Sequence, residues 1–337
     1  MDRQTLTAYV EAHGLHAVAF ATVGPTPRMD AFDGWLADGH HADMAWLQRR
    51  RDERADVSLK LKSARTAIAI ALHHPHERPP DPGGRTGMVA RYAWGRDYHN
   101  LVGKRIRKLQ RNLRKQGIAC WGGVDQAPIL ERAWAEAAGL GAVGKNTMLL
   151  RPGKGSWWLL AVVFVTIDVE PDVPITRDPC GSCTRCLVAC PTQAFVGNRI
   201  LDAGRCISYW TIEAHTLAPT SMLPQFGRWL FGCDVCQEVC PHNHDPADVD
   251  EPDLAPRYAW LDCDELLATP DEVLYARFEG SPLRRPGPIG LKRNAAVVLG
   301  NLGDPGALAS LTDFGLTHPS PVVVAASQWA IDRLVAG

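Results

Sequence analysis

Eight of the chain's ten cysteines fall between Cys180 and Cys240, and their spacing limits what this stretch can fold around. The first run is Cys180-x2-Cys183-x2-Cys186-x3-Cys190-Pro191. Three thiols at equal short steps let one loop wrap a cubane [4Fe–4S] cluster. The fourth, followed by proline, leaves that loop for a second cluster. A second run, Cys233-x2-Cys236-x3-Cys240-Pro241, repeats the ending but lacks a cysteine at its start. Two such clusters need eight thiolates. The two runs supply seven, and Cys206 is the eighth. The expected sets are Cys180, Cys183, Cys186 and Cys240 for one cluster, and Cys190, Cys206, Cys233 and Cys236 for the other. Structural zinc is the alternative, but zinc sites favour two Cys-x2–4-Cys pairs over three equal steps with a trailing Cys-Pro. Cys120 and Cys263 are left over and are expected to be buried as small hydrophobes.

Composition adds limits rather than chemistry. The 337 residues exceed one ordinary core and suggest about two domains with an appendage. The 46% hydrophobic and 22% charged fractions exclude disorder, collagen and a coiled-coil rod. Lys+Arg 36 against Asp+Glu 37 leaves a charge of −1, so only local patches could hold nucleic acid. The longest apolar run, Trp157–Val165, is far short of the ~18–20 residues of a membrane span. The N-terminal MDRQTLTAYVEAHG reads as an amphipathic helix without a signal-peptide core, and Arg49–Arg50–Arg51 has no apolar stretch behind it. A cytoplasmic protein with reduced thiols and no membrane partner is expected.

Residues 1–167 read as mixed α/β. His16–Val23, Thr66–Leu72 and Trp157–Ile167 have the length and apolarity of buried strands. Pro27–Ala37, Asn100–Lys115 and Ala127–Leu140 read as helices. Residues 168–179 are proline-rich and acidic, as in a linker, and open a cysteine-dense segment over 168–250. An acidic loop over 245–253 closes it. In 251–337, helices are expected at Leu291–Asn301, Pro305–Phe314 and Pro321–Leu334, in a pattern like a HEAT repeat. So few units cannot stand alone and must dock on the rest.

Two motifs mislead. Gly139-Leu-Gly141-Ala-Val-Gly144-Lys145-Asn146 matches G-x-G-x-x-G and nearly matches a P-loop. Both motifs need a strand before and a helix after. Here the helix comes first, so the glycines read as a helix end and a tight turn. Asp97-Tyr98-His99-Asn100-Leu101-Val102-Gly103 nearly matches a D-x-H-x-x-G cobalt-binding motif, with the glycine one residue late. His99 is therefore not assigned to cobalt.

Taken together, RYAWGRDYHN (91–100), VDQAPILERAWAEAAGLGAVGKNTMLL (124–150), GSWWLL (155–160), CGSCTRCLVACPTQAF (180–195), LDAGRCISYWTIE (201–213), FGCDVCQEVCPHN (231–243) and GSPLRRPGPIGLKRNAAVVLGN (280–301) resemble the epoxyqueuosine reductase family. The resemblance covers nearly the whole chain. It implies a cobalamin-binding mixed α/β domain, a bacterial-ferredoxin-like two-cluster domain and a C-terminal HEAT-like region that contacts tRNA. The implied reaction is the last step of queuosine synthesis. Two electrons and two protons turn the epoxide of epoxyqueuosine, at the wobble position of tRNA, into an alkene and water. The implied cofactors are two [4Fe–4S] clusters and a base-off cobalamin cycling through cob(II)alamin and cob(I)alamin. An external donor of flavodoxin or ferredoxin type would supply the electrons, and the protein would act as a monomer.

By the same matching Asp125 is the acid that protonates the epoxide oxygen, for which a carboxyl needs a raised pKa. Read on its own, Asp125 is a helix N-cap. Asp97, Tyr98 and His99 resemble substrate-pocket residues, and Arg54, Asn146, Ser208 and Asp234 resemble cobalamin neighbours. Two acid-free stretches are candidates for phosphate contact: 98–124, with Lys104, Arg105, Arg107, Lys108, Arg111, Arg114 and Lys115, and 280–303, with Arg284, Arg285, Lys292 and Arg293. The second is preferred because it abuts the helical repeat. The competing readings are a reductive dehalogenase, a two-cluster electron carrier and a tRNA-binding module without catalysis.

Overall fold

A computed structural model describes residues 1–151, 153–244 and 251–336. Most of the acidic loop expected over 245–253 lies outside the described residues. The architecture is built on two sheets. The first has the order β1 (Val18–Thr22), β2 (Thr66–His73), β7 (Trp158–Val165), β4 (Cys120–Gly123), and every pairing is antiparallel. The alternation in TAIAIAL explains how both faces of β2 are covered. Ile68, Ile70 and Leu72 pack under the helices Arg3–Glu11 and Tyr98–Lys115. Ala67, Ala69 and Ala71 face the other way and admit Trp134 of the short helix Glu131–Ala137.

The second sheet was not foreseen. β3 (Thr86–Val89) lies between β10 (Trp229–Phe231), to which it is parallel, and β11 (Trp260–Asp262), to which it is antiparallel. These three strands come from 1–167, 168–250 and 251–337 in turn. The three sequence segments therefore share one hydrophobic core, which also holds Trp94, Phe278, Leu291 and Val298. Two hairpins complete the strands: β5 (Ala142–Val143) with β6 (Leu149–Leu150), and β8 (Phe195–Gly197) with β9 (Ile200–Leu201).

Several expected elements shift. The helix expected from Ala127 begins only at Glu131, because the chain from Asp125 to Leu130 makes turns, with Asp125 at φ +53°. The helix expected over Pro305–Phe314 breaks into a 3₁₀ turn, one α turn and a π turn. Gly287–Leu302 and Pro321–Ala336 are full helices. They cross at Gly300, where a Cβ would come within 2.8–2.9 Å of Trp329 and Ala330. Among the described residues no helix is long and apolar enough to cross a membrane.

Candidate active site

The cysteines gather as two groups. Cys180, Cys183, Cys186 and Cys240 line a cavity of about 170 Å³, with Asn146, Pro179 and His242 beside them. Cys190, Cys206, Cys233 and Cys236 form the second group. Burial pushes the thiols of Cys206, Cys233 and Cys236 up, and neighbouring cysteines push further. The backbone N–H groups of Ser208 and Tyr209 point at the Cys206 sulfur, and Ala194 N donates to Cys190 Sγ at 3.3 Å. No three of the described His, Cys, Asp and Glu side chains converge on a point suited to a single ion. The first set surrounds a volume, as a cluster needs, and the second set lies close enough for its thiols to raise one another. All ten cysteines are free, and Cys120 and Cys263 are buried away from both groups.

From Phe231, two residues before Cys233, the rings of Tyr92 and Tyr98 lead to Asp125. Asp97 caps the helix Tyr98–Lys115 by accepting from His99 N at 2.9 Å. The same carboxylate meets His99 Nδ1 at 2.8 Å, and His99 Nε2 meets Asp125 Oδ2 at 3.0 Å. Tyr98 donates its hydroxyl to the same Oδ2 at 2.5 Å. Both bonds fall on Oδ2, so Oδ1 is the oxygen left for a substrate. Burial disfavours the His99 imidazolium, but Asp125 and Asp97 on either side outweigh this and hold its pKa up to about 9.

For Asp125 the balance runs against the sequence expectation. Burial pushes its carboxyl up, yet the bonds from His99 and Tyr98 win, and it sits below the usual carboxylate range. The stored proton is on His99, not on Asp125. The capping alternative also fails, since Leu130 is the N-cap of the next helix. The Asp125 side chain is 60% exposed although the surrounding protein desolvates it strongly. Asp125 is therefore open to solvent on one side and backed by protein on the other.

Sequence reasoning missed other residues around Asp125. Glu131 Oε1 accepts from Asp125 N at 2.9 Å, and burial, with the Asp125 charge beside it, pushes its carboxyl up to about 8. Tyr92 packs between Tyr98 and Phe231, with ring centroids 6.0 and 6.1 Å away. Burial raises its hydroxyl, and Asp125, Glu213, Asp234 and Asp97 raise it further. Glu131 and Tyr92 lie in the quoted LER and RYAW strings, but nothing local in those strings marks them as pocket residues.

The remaining expected residues divide. Arg285 is exposed, ion-paired with Glu213 at 2.8 Å, and close enough for Asp125 and Tyr98 to raise its pKa. Arg284 stacks 3.8 Å from the Tyr275 ring centroid. Lys292 and Arg293, expected at a phosphate surface, are instead internal. Lys292 is buried and ion-paired with Asp271 at 2.8 Å. Arg293 is buried and donates to the carbonyls of Ala214, Thr216 and Trp210. It ties the Gly287–Leu302 helix to the chain following Cys206. Charge along a sequence does not reveal whether a partner already waits inside the fold.

Of the expected cobalamin neighbours, Ser208 is half-buried at the start of the helix after Cys206. Arg54 is buried, donates to Leu47 O at 3.0 Å, and has Glu131 nearby. Asn146 donates to Cys236 O at 3.2 Å. Asp234, expected as a pocket residue, is a buried anchor that accepts from Arg91 N and Arg91 Nη1, both at 2.9 Å. The glycine motif ends as the β5–β6 hairpin, as its order of elements required.

Residues 54–125 match the family described as "Epoxyqueuosine reductase QueG, DUF1730". Residues 179–243 match a 4Fe-4S double cluster binding domain. An epoxyqueuosine reductase of Synechococcus sp. (strain CC9605) is 40% identical over 296 residues, spanning 84% of this chain and 90% of that protein. The chain belongs to the epoxyqueuosine reductases. This epoxyqueuosine reductase is an oxidoreductase whose fold is that of its solved relatives. One, a crystal structure with a tRNA-Tyr epoxyqueuosine-modified stem loop, has a TM-score of 0.90 and 32% identity, covering 98% of this chain and 90% of that one. Another, from Bacillus subtilis, has its aspartate catalytic loop swung out of the active site. It has a TM-score of 0.89 and 31% identity over 98% of this chain and 90% of its own.

Proposed function

We propose that this enzyme reduces the epoxide of epoxyqueuosine in the tRNA anticodon to the alkene of queuosine, at Asp125. The observation that carries the proposal is the Asp97–His99–Asp125 chain, which ends in a solvent-exposed Asp125 carboxylate. The reaction consumes two electrons and two protons and releases the oxygen as water. His99 holds a proton between two carboxylates and transfers it to Asp125, which gives it to the epoxide oxygen, and solvent reprotonates His99 to supply the second proton. Tyr98 steadies the same carboxylate. A relative whose catalytic loop carries an aspartate supports this role for Asp125.

Cys180, Cys183, Cys186 and Cys240 hold one [4Fe–4S] cluster, and Cys190, Cys206, Cys233 and Cys236 hold the other. Cobalamin would sit against the exposed Asp125 carboxylate, where the rings of Tyr92 and Tyr98 offer apolar faces to a large flat cofactor. Ser208, Asn146, Arg54 and Asp234 would line or brace that site. Bound there, cobalamin would supply a strongly reducing cobalt centre fed one electron at a time by the clusters. An external flavodoxin- or ferredoxin-type donor in the cytoplasm would reduce the clusters in turn. With Lys292 and Arg293 internal, Arg285 and the exposed face of Tyr98–Lys115, which carries Lys104, Arg107, Lys108, Arg111 and Lys115, are the phosphate contacts.

Anaerobic protein supplied with cobalamin and a low-potential reductant should convert an epoxyqueuosine-bearing stem loop to queuosine. Its spectrum should show cobalamin bands over a broad iron–sulfur shoulder, with about eight irons per chain. Stoichiometric zinc without iron, or no conversion by fully loaded protein, would overturn the reading.

A further inference from the structure

The P-loop-like glycine motif folds as the β5–β6 hairpin, and its tip is bonded to both cysteine runs. Gly144–Thr147 turns β5 into β6, with Gly144 N donating to Met148 O at 2.9 Å and Thr147 at φ +67°. Lys145 and Asn146 occupy that tip, and both are buried. The Lys145 backbone N–H points at Cys180 Sγ at 3.3 Å. Its Nζ donates to Gly181 O at 2.8 Å and Cys183 O at 3.0 Å, both inside the first cysteine loop. Asn146, a neutral side chain, reaches Cys236 O of the second run.

The charge around the two sites is therefore unequal. Beside the second site Arg78 and Arg91 are offset by Asp234 and Glu238. The Lys145 ammonium meets two carbonyl oxygens, and Asp178, the acid close enough to feel its charge, is already ion-paired with Arg199 at 2.9 Å. A [4Fe–4S] cluster gains one negative charge on reduction, and its potential follows nearby charge and hydrogen bonds to its sulfurs. A buried cation beside the loop favours the reduced form, since the low dielectric strengthens the attraction. We infer that Lys145 is a positioning residue that raises the reduction potential of the Cys180/Cys183/Cys186/Cys240 cluster relative to the other, making it the point where electrons enter. This rests on the cluster assignment proposed above.

The test is an EPR-monitored redox titration of the loaded holoenzyme, its Lys145→Gln and Lys145→Arg variants, and Cys240→Ser to identify the first cluster's signal. In Lys145→Gln the ratio of reduced to oxidised first cluster, at fixed ambient potential, should fall about tenfold, a shift of about 59 mV for a one-electron couple. The second cluster should not move, and Lys145→Arg should stay near the parent value. An unmoved first cluster in Lys145→Gln, an equal shift of both clusters, or loss of iron from that variant would overturn the inference. A parent protein with no [4Fe–4S] signal would instead overturn the cluster assignment itself.

Discussion

Asp125 holds its place against its own backbone preference. A non-glycine residue at φ +53° costs of order 1–3 kcal/mol, and such strain persists where the surroundings fix it. Glu131, Tyr98 and His99 supply three fixing bonds. In the proposed reaction the chemistry turns on His99, whose pKa its two carboxylates raise from 6.5 to about 9. A base raised on folding stabilises the fold fully below its unfolded pKa, here 6.5, and loses that contribution as pH rises through about 9. Asp97 and Asp125, both lowered, act in the opposite window, since their contribution is lost only in acid. The single-turnover rate should therefore fall on the alkaline side, around pH 8–9, as His99 and then its store of protons are lost. Glu131 titrates at about 8 and shares that limb. Rates of His99→Gln against pH separate the two: the limb near 9 should vanish, and its persistence would take the proton store away from His99.

The turn that presents Asp125 depends on β4. At Gly122 a Cβ would lie 2.1 Å from Val162 O of β7, so only glycine lets the two strands pair there. Gly122→Ala should destabilise the protein by ~1–3 kcal/mol through forced backbone shifts and displace Asp125. Urea unfolding and single-turnover rate should both drop, and an unchanged midpoint would show that the strand edge yields freely. Gly122 lies in CWGGV, which the sequence leaves between strand and loop and the structure makes β4. The sequence was readable where the signal is local and periodic. TAIAIAL marks β2, Leu101, Ile106, Leu109 and Leu113 mark the helix Tyr98–Lys115, and the cysteine steps mark the cluster loops. It was silent on β3, β10 and β11, which have 4, 3 and 3 residues and exist because distant chain segments meet. It also placed the Asp125 proton wrongly, because a carboxyl's pKa is set by neighbours that only the fold brings together.

Across the whole molecule the C-terminal helices serve the redox site by holding it. Arg293 and Asn294 bind carbonyls of Trp210, Thr211, Ala214, Thr216 and Leu230, the chain between Cys206 and Cys233. Arg293→Met leaves three buried carbonyls without their donor and should cost about 3 kcal/mol of stability. It should leave the affinity of the folded protein for tRNA unchanged. Arg285→Ala should do the reverse, weakening stem-loop binding and lowering its log–log salt slope by ~0.7–0.9 with little change in melting temperature. Salt-dependent binding and melting curves of the pair check both, and a tRNA defect in Arg293→Met at full folding would return that residue to the surface role. The central claim is that Asp125 delivers the proton to the epoxide. It is tested most directly by the single-turnover conversion of an epoxyqueuosine stem loop by reduced, fully loaded Asp125→Asn. That variant should keep its iron and its affinity for the stem loop, with only a modest drop in melting temperature from the lost His99–Asp125 charge pair, while its rate falls ~10²–10⁴-fold. A near-parental rate would contradict the account and move the donor to His99 or Tyr98.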